Sequence, residues 1–118
     1  MSRRLQRLNV LFRQELAELV QAELRDPRLA GMVSITRVDI SPDLENADVY
    51  VSIMGEPEEK SSSMSALRAA APYLRRVLLE RIRIRRIPSL HFQLDESIEE
   101  AAHILELMNE VKRREARG

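Results

Sequence analysis

Few residues of this 118-residue chain could carry covalent or acid–base chemistry. It has two histidines, His91 and His103, and no cysteine, which removes thiolate nucleophiles, disulfides and Cys-based zinc sites together. A serine nucleophile needs a base that is itself oriented by an acid, and neither histidine stands in an elbow or triad context. Glu100-Ala101-Ala102-His103 sets a carboxylate and an imidazole at i, i+3 on one helix. Di-iron carboxylate bundles use that spacing, but they require a second copy and two further glutamates on facing helices, and the sequence offers neither. Glycine-rich phosphate loops are excluded as well, because Gly31, Gly55 and Gly118 lie far apart and form no nucleotide-binding fingerprint. The carboxylate pairs Glu58-Glu59 and Glu99-Glu100 read as solvated surface. No catalytic residue, cofactor or metal site is therefore expected. What the chain does concentrate is arginine: Arg75, Arg76, Arg81, Arg83, Arg85 and Arg86 in one stretch, Arg68 just before it, and Arg3, Arg4 and Arg7 near the start. A guanidinium is planar and binds phosphate through two hydrogen bonds at once, so the chemistry best supplied is recognition of a nucleic-acid backbone.

The total charge seems to argue the other way, since 19 bases balance 19 acids and a basic excess is the usual footprint of such a partner. Placement along the chain changes that inference. Residues 1–13 are basic without an acid, and residues 38–59 hold seven acids without a base. Residues 60–92 hold eight bases against Glu80 alone, residues 93–110 are acidic again, and Lys112, Arg113, Arg114 and Arg117 close the chain. Either neighbouring blocks neutralise one another in the fold, or a basic face for phosphates is backed by an acidic face that limits indiscriminate binding. Every base except Lys60 and Lys112 is an arginine. The only aromatics are Phe12, Tyr50, Tyr73 and Phe92. Base stacking has little to work with, and phosphate contact with shape reading is the expected mode.

Length and a 44% hydrophobic content bound the chain to one domain with a core of its own. No apolar run reaches the ~18 residues of a membrane span, and the N-terminal segment is amphipathic rather than of signal-peptide type. A cytoplasmic monomer is expected.

The arginines must be positioned by the following elements. Leu5, Leu8, Phe12, Leu16, Leu19 and Val20 recur every three or four residues, predicting an amphipathic helix that Pro27 terminates. Residues 33–40 read as a strand whose apolar parity changes at Thr36-Arg37, so a bulge is expected there. Ser41-Pro42-Asp43 supplies turn chemistry. Ala47, Val49, Val51 and Ile53 then alternate with polar residues as a second, half-buried strand. Residues 55–63 read as a mobile loop ending in a serine cap. Leu67, Ala70, Leu74, Val77, Leu78 and Ile82 form the stripe of a helical stretch that Pro72 must split or kink. Leu90, Phe92 and Leu94 make a third strand, and Ser97-Ile98-Glu99-Glu100 reads as a capping box. It opens a last helix with the stripe Ile98, Ala101, Leu105, Met108 and Val111, and residues 113–118 are expected to fray as a basic tail. The class is α+β, with helices covering one face of a three-stranded sheet.

Three segments in series resemble the ribosome-binding factor A family, and together they span essentially residues 3–112. They are Arg25-Asp26-Pro27-Arg28-Leu29 with Gly31 and the following strand; Ser41-Pro42-Asp43-Leu44 with Ala47-Asp48-Val49-Tyr50-Val51-Ser52 and Gly55; and the run from Leu74-Arg75 through Arg81-Ile82-Arg83-Ile84-Arg85 and Pro88-Ser89-Leu90-His91-Phe92 to Asp95-Glu96-Ser97. The resemblance implies one KH-like domain of type II topology. It also implies binding to immature small ribosomal subunits and 16S rRNA near its 5′ end during late maturation and processing. Support of growth in the cold and release with help from an assembly GTPase are implied too. The family's basic face would fall here on Arg3, Arg4, Arg7, Arg68, Arg75, Arg76, Arg81, Arg83, Arg85 and Arg86. Where the family usually has an Ala-x-Gly kink, this chain has Ala70-Ala71-Pro72. The Gly-x-x-Gly clamp of ordinary KH domains is missing, as it is in the family. A protein-interaction adaptor with incidental RNA contact is the alternative from another class. A small enzyme would require a concave pocket with converging titratable groups.

Overall fold

The computed structural model describes residues 2–22 and 32–117, so the expected helix stop at Pro27 and the Arg25 to Gly31 segment of the resemblance lie outside the described residues. Three helices, α1 (Arg3–Ala22), α2 (Pro57–Arg81) and α3 (Ser97–Arg117), accompany three strands, β1 (Met32–Ile40), β2 (Asn46–Met54) and β3 (Ser89–Leu94). The strands stand in the order β1-β2-β3. β1 and β2 form an antiparallel hairpin, and β3 joins β2 in parallel. A parallel pair needs a crossover connection, which α2 provides.

The parity change in β1 is resolved as expected. The register with β2 shifts between Ile35 and Arg37, leaving Thr36 as the extra residue. Ile35, Val38 and Ile40 thereby all face the core despite their irregular spacing. From the other side of the hairpin, Ala47, Val49, Val51 and Ile53 are buried in strict alternation, and β3 adds Leu90 and Phe92. Helix α1 contributes Phe12, Leu16, Leu19 and Val20, and α2 contributes Met64, Leu67, Leu74 and Leu78, to the same cluster. Both helices lie on one face of the sheet. The other face carries Arg37, Asp39, Asp48, Tyr50, His91 and Gln93.

Several expectations are corrected. The loop assigned to residues 55–63 is mostly helix, because α2 starts at Pro57. Proline fits the first helical position, and the Glu59 carboxylate accepts the Glu56 N–H at 3.1 Å, which satisfies the helix start better than a later serine would. Gly55 makes the approach possible: its φ of 150° is open to glycine, and a Cβ there would stand 3.2 Å from Glu59 Cβ. Second, of the two outcomes expected at Pro72, a split or a kink, the split does not occur: α2 runs unbroken past Pro72, whose missing N–H leaves the Arg68 carbonyl without its usual donor. Third, α3 covers nothing. None of its residues is buried, because α1 and α2 already fill the apolar face of the sheet. Its first turn is tied to α2 by Lys60, whose Nζ lies 2.8 Å from both carboxylate oxygens of Glu99. Helical structure continues through Arg117, where a frayed tail was expected. Arg114 and Glu110 pair at 3.1 Å within it, and Arg114 and Arg117 suit the negative end of the helix dipole.

The start of α3 is set by Asp95 rather than by a serine capping box. Asp95 Oδ1 accepts the Ser97 N–H at 3.0 Å, and Oδ2 accepts the hydroxyl of the bulge residue Thr36 at 2.8 Å. Hydrogen bonds from the Ser97 side chain and backbone, then from Thr36, hold the Asp95 carboxyl below its usual range. A carboxyl depressed in the folded state stabilises it above the unfolded value and loses that contribution as acid protonates it. The Asp95→Asn variant is therefore expected to show a flatter fall of urea midpoint between about pH 5 and about pH 3 than the parent. Parallel curves would mean that Asp95 is not a source of the acid sensitivity.

Candidate nucleic-acid interface

The arginines divide by what they touch. Residues 82–88 follow α2 as an irregular segment in which Ile82 and Ile87 are buried and Ile84 is half-buried, while Arg83, Arg85 and Arg86 are exposed. Arg4, Arg83, Arg85 and Arg86 line one open groove of about 480 Å³ together with Asp43 and Leu44 of the β1–β2 turn. The two basic blocks, nearly eighty residues apart in sequence, thus meet in space. A second groove, of about 770 Å³, adjoins it through the shared residues Arg4 and Leu44 and lies between the start of α1 and the same turn.

The local structure explains this wall. Asp43 Oδ1 accepts the Ser41 hydroxyl at 2.6 Å and the Glu45 N–H at 3.0 Å, and these bonds lower its carboxyl below the ordinary aspartate range. Leu44 then sits at φ 61°, a left-handed conformation rare for leucine. Ser89 N donates to Glu45 O at 2.9 Å, fastening the turn to β3. Turn chemistry was legible at Ser41-Pro42-Asp43, but nothing in the sequence disclosed that the turn borders the arginines.

Helix α1 adds Arg3 and Arg7, both exposed. Ser2 caps it, with its side-chain oxygen accepting the Leu5 N–H at 3.1 Å. The first turn contains no acid and is instead lined with arginine. Positive charge at a helix N-terminus opposes the helix dipole, so this placement works against stability.

Other arginines are engaged within the fold. Arg75 donates from Nη2 to Ile87 O at 2.9 Å and from Nε to Pro88 O at 3.2 Å; Arg68 Nη2 reaches Phe92 O at 3.3 Å. Both hold the path into β3. Arg81 Nη1 bridges Glu15 at 3.1 Å and Glu18 at 3.2 Å on α1, while Arg86 meets Glu45 at 3.4 Å at the groove's edge. Arg76 lies 5.9 Å from the Tyr73 ring centre and does not line the groove. Of the ten arginines, Arg3, Arg4, Arg7, Arg83 and Arg85 make no ion pair, side-chain hydrogen bond or ring contact among the described residues. Both readings of the charge blocks are thus partly realised: some charges cancel, and a basic patch survives. On the open face, Tyr50 is covered by the Arg37 guanidinium, 4.2 Å from the ring centre, so a stacking base would have to displace it.

Glu100 and His103 sit on exposed α3, and among the described residues no group of three His, Asp or Glu side chains could hold a metal ion. Neither histidine lines the larger groove. Among the described residues, no helix is long and apolar enough to cross a membrane.

Fold and surface together define a KH-like α+β domain without a Gly-x-x-Gly clamp, its free arginines gathered where α1 begins and α2 ends. The chain belongs to the ribosome-binding factor A family, whose model matches residues 4–108. It is 44% identical over 107 residues to ribosome-binding factor A of Acetivibrio thermocellus, an alignment covering 91% of this chain and 87% of the relative. The crystal structure of ribosome-binding factor A from Thermus thermophilus superimposes with a TM-score of 0.70 at 32% identity, covering 79% of this chain and 97% of that one. A homology model of the Thermus thermophilus protein fitted into the cryo-electron microscopy map of a 30S complex gives a TM-score of 0.64 at 34% identity, covering 76% and 93%.

Proposed function

We propose that this protein is a cytoplasmic, non-enzymatic assembly factor that binds immature small ribosomal subunits and grips 16S rRNA phosphates in the groove of Arg4, Arg83, Arg85 and Arg86. The carrying observation is the convergence of arginines from two distant chain segments on one surface, most of them without an internal counter-ion. A relative placed in a 30S complex supports the same partner. Arg3, Arg7 and Arg76 extend the contact, whereas Arg68, Arg75 and Arg81 serve it indirectly by holding β3 and α1 in place. Binding would favour one conformation of the rRNA near its 5′ end during late maturation and processing. Release by an assembly GTPase and a role in cold growth belong to the same reading. Ala70, Ala71 and Pro72 are taken as the bend of α2, standing where the family usually has Ala-x-Gly.

Salt titration tests this directly. Log affinity for precursor subunits is expected to fall linearly with log salt, with a slope of roughly −0.7 to −0.9 for each phosphate engaged. Bulk duplex DNA should compete poorly, since zero net charge leaves little nonspecific attraction. Association that ignores salt and survives nuclease treatment would favour the protein adaptor instead.

A further inference from the structure

The larger groove, about 770 Å³, has the size of sites that enclose a small molecule or a base, and the phosphate grip of Arg83 and Arg85 leaves it unused. Its floor is aliphatic: Leu5 and Leu8 of α1 are half-buried there, and Leu44 joins them from the β1–β2 turn. Leu44 is 38% exposed, stands outside the core cluster and is held at φ 61°. Backbone in that region is costly for leucine, so a side chain presented in this way asks for a contact outside the fold. The wall is acidic. Asp39 and Asp48 stand directly opposite each other across the β1–β2 ladder, and neither carboxylate has an ion pair or hydrogen bond among the described residues. Like charges so placed repel. Both acids line this groove and not the arginine groove, whereas Arg4 and Leu44 line the two in common.

We propose that this groove seats one unpaired guanine of the RNA strand whose phosphates lie on the arginines, an inference that rests on the rRNA contact proposed above. A base turned out of its stack is held by apolar side chains against its flat faces and read by hydrogen bonds along its Watson–Crick edge. Leu5, Leu8 and Leu44 supply aliphatic surface for the faces, and the carboxylate of Asp48, the half-buried member of the acidic pair, supplies acceptors for the edge. Guanine alone among the four bases sets two donors side by side there, N1–H and the N2 amino group, which one carboxylate accepts together. Adenine and cytosine turn a ring nitrogen acceptor toward it and uracil a carbonyl, so each opposes lone pairs with lone pairs. The order of charge also fits a nucleotide: a cationic border for the phosphate, an aliphatic middle and an acidic wall for the donor edge. A basic protein segment fits less well. It would meet the arginines at the border, and it cannot extend the sheet at Ile40, whose N–H already donates to Asn9 Oδ1 at 2.9 Å.

Fluorescence anisotropy of the full chain with labelled single-stranded RNA at low salt tests this, using UUGUUU, the same strand with inosine or adenine in place of guanine, and an all-uridine strand. UUGUUU should bind about tenfold more tightly than the other three, since a well-formed bidentate contact discriminates by that order or more. Inosine keeps every guanine group except the N2 amine, so its deficit isolates the second donor. Asp48→Asn removes a like-charge repulsion; it should keep its fold by circular dichroism and bring the four affinities together. Arg83→Glu combined with Arg85→Glu should weaken all four strands alike. Equal affinities in the parent chain, or inosine equal to guanine, would overturn the guanine seat while the dependence on both arginines left the phosphate grip standing. A guanine preference indifferent to those arginines would remove the grip and keep the seat. Free GMP carries one phosphate and should compete poorly; competition as strong as that of the unlabelled strand would make this a mononucleotide site and overturn the seat for a strand. Methyl signals of Leu8 and Leu44 that shift with a peptide of alternating leucine and arginine, and not with UUGUUU, would give the groove to a protein segment and overturn it too.

Discussion

Reversing Arg83 and Arg85 to glutamate together is expected to weaken binding to precursor small subunits about a hundredfold while leaving the thermal midpoint nearly unchanged. The binding loss follows from removing two phosphate contacts and setting two carboxylates against a polyanion, at about 1.4 kcal/mol for each tenfold. Stability should hold because both side chains are exposed and make no hydrogen bond or ion pair among the described residues. Substitutions of that kind usually stay within about 0.5 kcal/mol. Arg4→Glu sharpens the test, since it exchanges an unfavourable charge at the start of α1 for a favourable one. It should raise stability by about 0.5 kcal/mol and weaken binding at the same time. Cosedimentation at several salt concentrations, beside thermal unfolding followed by circular dichroism, separates the two effects. Undiminished cosedimentation of the Arg83→Glu, Arg85→Glu protein would remove this groove as the rRNA contact.

How much of this was legible in the sequence differs by element for physical reasons. Alternation marked β2 and β3 because each has one face against the core. The broken parity of β1 marked its bulge because Val33, Ile35, Val38 and Ile40 cannot share one face of a regular strand. The start of α2 was missed because Gly55, Glu56 and Pro57 suggest a loop by composition, whereas Pro57 and Glu59 are also helix-start chemistry. Periodicity gave the apolar stripe of α3 but could not say what covers it; the core reached by α1 and α2 leaves it outside. The site shows the same division. The positions and sign of the arginines could be read directly. Their partners could not, since Glu15 and Glu18 meet Arg81 only through the packing of α1 beside α2, and Asp43 and Leu44 reach the groove only through the hairpin.

Arg75, in the same basic block as Arg83, is expected to behave in the opposite way. Its guanidinium crosses from α2 to the entrance of β3, donating to the carbonyls of Ile87 and Pro88, both buried residues. Truncation to alanine would leave those oxygens without their donors in a place water reaches poorly. A hydrogen bond from a charged donor is worth about 1.5 to 3 kcal/mol, and an abandoned buried acceptor costs about as much. The Arg75→Ala variant should therefore lose about 3 kcal/mol, lowering the midpoint by something like 15 °C in a domain of this size. Lysine should rescue little, because one ammonium on a flexible stem does not reproduce the two-pronged contact. Any binding defect of Arg75→Ala should follow the loss of folded protein and leave the salt slope of the remaining fraction unchanged, since no phosphate contact has been removed. If the variant instead keeps its midpoint and flattens the salt slope, Arg75 belongs to the rRNA contact and the division of the arginines drawn from their hydrogen bonds is wrong.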